Sequence, residues 1–319
     1  MAPRLLASPR RCGGRPSGGG ALSRGGTWPT FLILGAAKSG TTALYHWLRQ
    51  HPDIYMSPIK QPHYFADLQP TFSGPGDQAL NRDIVTAEAD YLRLFQAGTG
   101  RKARGEASPF YLYYAERTVE RVRRVLPEAR LVVLLREPAS RAYSGYLHLV
   151  RDGRETLPFR QALEREEERL GRGWEPLWAH RGLGLYGRQL DAVLAAFPRE
   201  QVGVWLYDDM RTRPTALFQE VCAFIGVDPA FQPTLSRHNQ SGVPRSAALH
   251  ALLVKLRAPH LAKALLPEPV AQWVVSRYLQ RRPPPADVAA ELRASYRDDR
   301  RTLARLLPDQ DFGPWEAVG

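Results

Sequence analysis

Short continuous apolar runs alternate along the chain with stretches whose apolar residues recur at helical spacing. FLILG, residues 31–35, is followed by a loop and then by residues 41–50, where Ala43, Leu44, Trp47 and Leu48 mark one helix face before His51-Pro52 ends it. Val119, Val122, Val125 and Leu126 form a second face, ahead of LVVLL at 131–135. Leu190, Val193, Leu194 and Phe197 form a third, ahead of VGVWL at 202–206 and a helix over 215–225 closed by Gly226. Apolar runs of this length suit strands buried on both faces, and their alternation with helices predicts a three-layer α/β/α fold with a central parallel sheet. Ligands in such folds sit beyond the carboxyl ends of the strands, so the loops after residues 35 and 135 come first. The run EREEER at 164–169 reads as a solvated helix face, and Pro283–Pro285 as a linker before a final helix over 287–307.

A chain of 319 residues that is 44% hydrophobic can bury a large core, which suits one domain over 28–319. Residues 1–27 cannot join it. Five Arg, seven Gly and no acid within the first 28 positions describe a disordered basic tail. The tail is Arg-rich like an organellar transit peptide, but it has no apolar h-region, and no 18-residue apolar run occurs elsewhere. The expectation is a cytoplasmic protein without a transmembrane segment. Only Cys12 and Cys222 are present, so no disulfide framework or cysteine metal site is expected. A formal net charge of +12 points to an anionic ligand. Nucleic acid is disfavoured as that ligand, because the basic residues are dispersed and no reading helix or aromatic sheet motif appears.

The loop GAAKSGTT joins a strand to a helix, so free N–H groups at the helix N-terminus converge with Lys38 Nζ and the hydroxyls of Ser39, Thr41 and Thr42. Gly35 and Gly40 keep the glycine spacing of a nucleotide P-loop, yet Thr41 stands where its Lys belongs. In LLREPASRAYSGY, Arg136 leaves a strand end and Ser144 follows on the next helix, a guanidinium and a hydroxyl suited to a second phosphate. A nucleotide with two separated phosphate groups fits both loops.

PTFLILGAAKSGTTALYHWLRQHPDI, LLREPASRAYSGY and HNQSGVPRS together resemble the sulfotransferases that use 3′-phosphoadenosine 5′-phosphosulfate (PAPS), in particular their bacterial and heparan-type carbohydrate branches. The similarity runs from Trp28 to about Arg245 and implies a P-loop NTPase-like sulfotransferase fold without a metal. It implies that Lys38, Ser39, Gly40, Thr41 and Thr42 bind the 5′-phosphosulfate. It likewise gives Arg136 and Ser144 the 3′-phosphate, and Arg245 the closing of the nucleotide site. A hydroxyl acceptor follows, a carbohydrate first and a lipid or aryl natural product next.

Members of that family carry Glu in a KEPHFF-like segment, and the resemblance makes that Glu the general base. Here the segment reads KQPHYF, and the amide of Gln61 can orient a hydroxyl but cannot take its proton. Pro58 and Pro62 favour an extended backbone, which would turn His63 to the same side as Gln61. His63 is therefore the first substitute base and Glu106 the second. Trp174, Trp178 and Tyr186 are candidates for stacking on an acceptor or for the core. Two rival readings remain. Gln61 keeps open a protein that binds PAPS or its product without transfer. The Gly35/Gly40 spacing and the acids Asp208 and Asp209 keep open a P-loop kinase, against which Thr41 counts.

Overall fold

The computed structural model describes residues 27–235, 243–244, 279–280 and 283–315. Residues 1–26 of the expected tail, and Arg245, lie outside the described residues. Five strands form one sheet: β1 (Phe31–Gly35), β2 (Ile54–Met56), β3 (Ala103–Ala107), β4 (Arg130–Leu135) and β5 (Val202–Leu206). Their order is β2-β3-β1-β4-β5 and every pairing is parallel. Residues 243–244 and 279–280 make a separate antiparallel pair.

The helices are α1 (Thr41–Leu48), α2 (Gln78–Asp83), α3 (Glu88–Arg93), α4 (Ala115–Val125), α5 (Pro138–Arg151) and α6 (Phe159–Glu164). Then come α7 (Glu166–Gly171), α8 (Tyr186–Ala196), α9 (Tyr207–Thr212), α10 (Pro214–Ile225), α11 (Ala286–Ser295) and α12 (Arg297–Leu306). Alternation along the strands divides them between two cores. Leu32 and Leu34 of β1, with Leu131, Val133 and Leu135 of β4, pack against Val119 and Val122 of α4 and Leu190 and Val193 of α8. Phe31, Ile33, Val132 and Leu134 point the other way, onto Leu44 and Trp47 of α1 and Leu217, Phe218 and Val221 of α10. Each such side chain contributes roughly 1.5–3 kcal/mol when fully buried. The three-layer α/β/α expectation therefore holds.

Strand β3 is the element that apolar pattern conceals, since ARGEA contains two charged residues and a glycine. The glycine is required by its neighbour: a Cβ at Gly105 would fall 2.2 Å from Cζ of Phe31, its register partner in β1. Two boundaries and one surface assignment also differ from expectation. α1 stops at Leu48, where Gln50 N and His51 N turn to the carbonyls three residues back, Trp47 O and Leu48 O. The last helix breaks at Tyr296, whose hydroxyl donates to Arg181 O at 3.0 Å and clips the C-terminal pair to the domain. The expected solvated face of 164–169 is partly internal. Glu166 is buried and accepts from Arg181 N and Gly182 N, and buried Arg169 pairs with Glu155.

Candidate active site

The turn between β1 and α1 holds Lys38 at φ 70° and Gly40 at φ 96°, and Gly40 is the N-cap of α1. A Cβ at Gly40 would come 2.5 Å from Met210 Sδ, so glycine is needed for both conformation and space. No side chain caps α1, which leaves its first N–H groups available to a ligand. Beside them Ser39 Oγ is fully buried and has no hydrogen-bond partner. Among the described residues no carboxylate lies within salt-bridge distance of Lys38. An uncapped helix start, an orphaned hydroxyl and an unpaired ammonium fit a phosphate or sulfate. Burial pushes Lys38 down to about 7, with Arg151, Lys60 and Arg136 adding to the shift and Asp152 opposing it.

The second loop divides its labour. The carboxylate of Glu137 caps α5, accepting from Ala139 N at 3.0 Å and Ser140 N at 2.7 Å. Arg136 is thereby left for the cavity: its Nη1 donates to Lys38 O at 3.3 Å, and its guanidinium lies 4.7 Å from the centre of the Tyr207 ring. Ser144, His148 and Asp152 follow at four-residue spacing, each about 6 Å further along the axis of α5. His148 Nδ1 accepts from Arg151 at 2.6 Å, and its Nε2 faces Asp152 at 3.5 Å. Burial, then Lys38 and Arg151, hold this imidazole far below its usual range, so it is neutral.

These groups line one cavity of about 530 Å³, at the carboxyl edge of the sheet. Lys38, Gly40, Thr41, Thr42, Arg136 and Ser144 supply its polar wall. Trp47, Tyr207, Met210 and Leu235 supply an apolar part, and Lys60 and Gln61 line it from the segment after β2. Ser39 is buried in the same turn as Lys38, and Asp152, Arg154 and Glu175 also line the cavity.

A family model described as the sulfotransferase family matches residues 29–233. The chain belongs to the sulfotransferase family. A crystallised sulfotransferase from Alicyclobacillus acidocaldarius is 36% identical, with a TM-score of 0.73 over 91% of this chain and 99% of that one. Bifunctional heparan sulfate N-deacetylase/N-sulfotransferase 3 of Mus musculus is 28% identical over 213 residues, 64% of this chain and 23% of its own. Bifunctional heparan sulfate N-deacetylase/N-sulfotransferase 2 of Homo sapiens is 28% identical over 215 residues, 63% of this chain and 22% of its own. The chain thus spans less than a quarter of the length of these two relatives.

In this member of the sulfotransferase family, Gln61 faces the cavity but the two expected substitute bases do not. His63 takes φ 51° and ψ 21°, not an extended conformation, and turns inward. Its ring is fully buried and stacks on Phe110 at 5.1 Å, with neither nitrogen bonded, and burial pushes it down to about 3. An imidazole enclosed in that way cannot reach an acceptor. The carboxylate of Glu106 is fully buried too, accepting from Ser108 Oγ and Tyr111 OH at 2.6 Å and from Tyr91 OH at 3.2 Å. Burial pushes it up to about 7. With three hydroxyls on it, Glu106 braces the floor under the site: Ser108 Oγ in turn accepts from His63 N at 3.0 Å.

Trp178 and Tyr186 are core residues, and Trp174 packs on Trp178 with ring centres 4.6 Å apart. Asp208 and Asp209 sit in the first turn of α9 and face Arg211 and Arg213. Sequence reading passed over Lys60, His148, Asp152, Arg154 and Glu175. The first lay beside a singled-out residue, and the next two continue the helical spacing begun by Ser144. The last two have no local signal. Arg154 pairs with Asp77, more than seventy residues back along the chain, and with Glu175, and burial pushes Glu175 up to about 7.

Proposed function

We propose that this protein transfers a sulfuryl group from PAPS to a hydroxyl acceptor. The observation that carries the reading is the convergence of Lys38, Arg136 and Ser144 in one cavity, from the loops after two adjacent parallel strands. Two cationic pockets at one sheet edge suit the two ends of a doubly phosphorylated nucleoside. Thr41, Thr42 and the α1 amides would hold the 5′ end, with Ser39 behind them. Arg136 and Ser144 would hold the 3′-phosphate, and Trp47 and Tyr207 offer apolar faces for the base. Arg245 keeps its role in closing the site as part of this proposal.

Charge grows on the leaving phosphate oxygen as the group moves, and Lys38 Nζ is the donor aimed at that point. Removing one preorganised donor of this kind costs on the order of 10²–10³ in rate. Gln61 can orient the acceptor hydroxyl. A carbohydrate is the first acceptor class, supported by two relatives whose names give heparan sulfate as substrate. A cytoplasmic setting belongs to the proposal as well, and cell fractionation checks it.

The test is calorimetry with adenosine 3′,5′-bisphosphate, followed by transfer from radiolabelled PAPS to sugar, lipid and phenol panels. Lys38→Ala is expected to abolish transfer while its circular dichroism stays that of the parent. No binding of the bisphosphate, or full turnover in Lys38→Ala, overturns the reading.

A further inference from the structure

The acceptor's proton needs a destination, and the residues first suited to it are closed off. Gln61 is an amide, His63 is sealed against Phe110, and Glu106 is engaged by three hydroxyls. His148 reaches the cavity, but Arg151 occupies the lone pair of Nδ1 and Nε2 faces Asp152.

Lys60 is placed differently. It lines the cavity next to Gln61, and among the described residues its Nζ makes no hydrogen bond or salt bridge. The short segment carrying it is pinned at both ends. Ser57 N donates to Gly105 O at 2.8 Å, Ser57 O accepts from Tyr45 OH at 2.7 Å, and Pro62 O accepts from Val85 N at 2.8 Å. The backbone of Lys60 is therefore fixed while its side chain has no competing partner.

We propose that the neutral amine of Lys60 is the general base that receives the acceptor's proton. The proposal rests on the PAPS-dependent reading above. As the acceptor oxygen bonds to sulfur, the bond from sulfur to the phosphate oxygen breaks, and its electron pair stays on that oxygen beside Lys38. The acceptor O–H breaks in the same event and its proton passes to Nζ. The resulting ammonium returns that proton to solvent through the cavity mouth.

The electrostatic surroundings suit a lysine that is neutral near physiological pH. Burial pushes Lys60 down to about 8, against the opposing pull of Asp83 from α2 and Glu106 from β3. Lys38 from the first loop is the basic group that feels it, and His148 from α5 and His63 are the neutral rings nearby. A lysine held near 7–8 by burial and neighbours is a recognised form of general base.

Two measurements test this. The first needs no nucleotide: limited acetylation of the free protein by acetic anhydride, read by peptide mass spectrometry across pH, follows the neutral fraction of each lysine. Lys60 is expected to label with a midpoint near 8, and a midpoint in the ordinary lysine range near 10.5 overturns the proposal. The second follows transfer from saturating PAPS to methyl β-D-glucopyranoside, a simple alcohol probe. Lys60→Arg keeps the charge but cannot lose a proton, and is expected to fall roughly 10²–10⁴-fold while binding adenosine 3′,5′-bisphosphate like the parent. Adding Gln61→Glu to Lys60→Ala is expected to restore turnover, with the rising limb of the pH profile moved toward the carboxylate range. Parent-like turnover in Lys60→Arg would show that only its charge matters and overturns the assignment. Failure of the PAPS reading is seen separately, as lost bisphosphate binding in the parent.

Discussion

Arg136 Nη1 donates to the backbone carbonyl of Lys38 at 3.3 Å, so the cation of the second loop steadies the loop that carries the first. The two loops are mechanically one unit, and damage to either should be felt at both.

Arg136→Lys tests that coupling. A lysine lacks the planar fork that lets one side chain donate to the Lys38 carbonyl, reach a phosphate and stack on Tyr207. Loss of a charge-assisted bond of about 1.5–3 kcal/mol predicts bisphosphate binding weaker by roughly 10–100-fold in calorimetry. The melting temperature should move little.

Proton uptake is expected on nucleotide binding. Lys38 sits near 7 in the free protein, so at pH 8 most molecules carry the neutral amine. A bound anion favours the ammonium, and binding near pH 8 should take up close to one proton. Calorimetry in buffers of different ionisation enthalpy reads that number, which should shrink at pH 6 and fall sharply in Lys38→Met, leaving only what Lys60 takes up. The same shift has a stability sign. Between about 7 and 10.5 the unfolded chain holds more protons at this site than the folded one, so this residue's contribution rises with pH across that window.

Gly40→Ala should damage both fold and site. The new methyl meets Met210 Sδ in a backbone conformation that non-glycine residues adopt at a cost of roughly 1–2 kcal/mol. Thermal denaturation should show a lower midpoint, and bisphosphate affinity should fall because the α1 amides shift.

Glu106→Gln and His63→Phe separate bracing from catalysis. If Glu106 only braces the floor, the amide variant keeps transfer within a few-fold while losing about 1–3 kcal/mol of stability in denaturant titration, as its hydroxyl donors lose acceptors. His63→Phe removes two unbonded buried nitrogens and should keep transfer as well. A drop of 10²-fold or more in either variant at unchanged stability would restore that residue as the base.

Much of the frame was legible in the sequence because strands buried on both faces announce themselves: β1, β4 and β5 are continuous apolar runs. β3 was not, since its charged residues are satisfied by partners outside the strand: Arg104 by Trp28 O, and Glu106 by the tyrosines 91 and 111. Local motif chemistry led to Lys38, Arg136 and Ser144, which share the cavity. The expectation for His63 failed on one torsion angle, because a left-handed turn after Pro62 leaves no periodic trace. Arg154 and Glu175 belong to the cavity only through tertiary pairing, which no spacing rule encodes.

The sheet edge fixes Lys38 and Arg136 through β1 and β4, whereas Asp83, Arg154 and Glu175 arrive on segments that take no part in the sheet. The two sets of cavity residues are therefore inherited from separable parts of the chain. Exchanging residues 78–83 for a foreign segment of equal length should retune what is sulfated and leave the grip on the nucleotide intact.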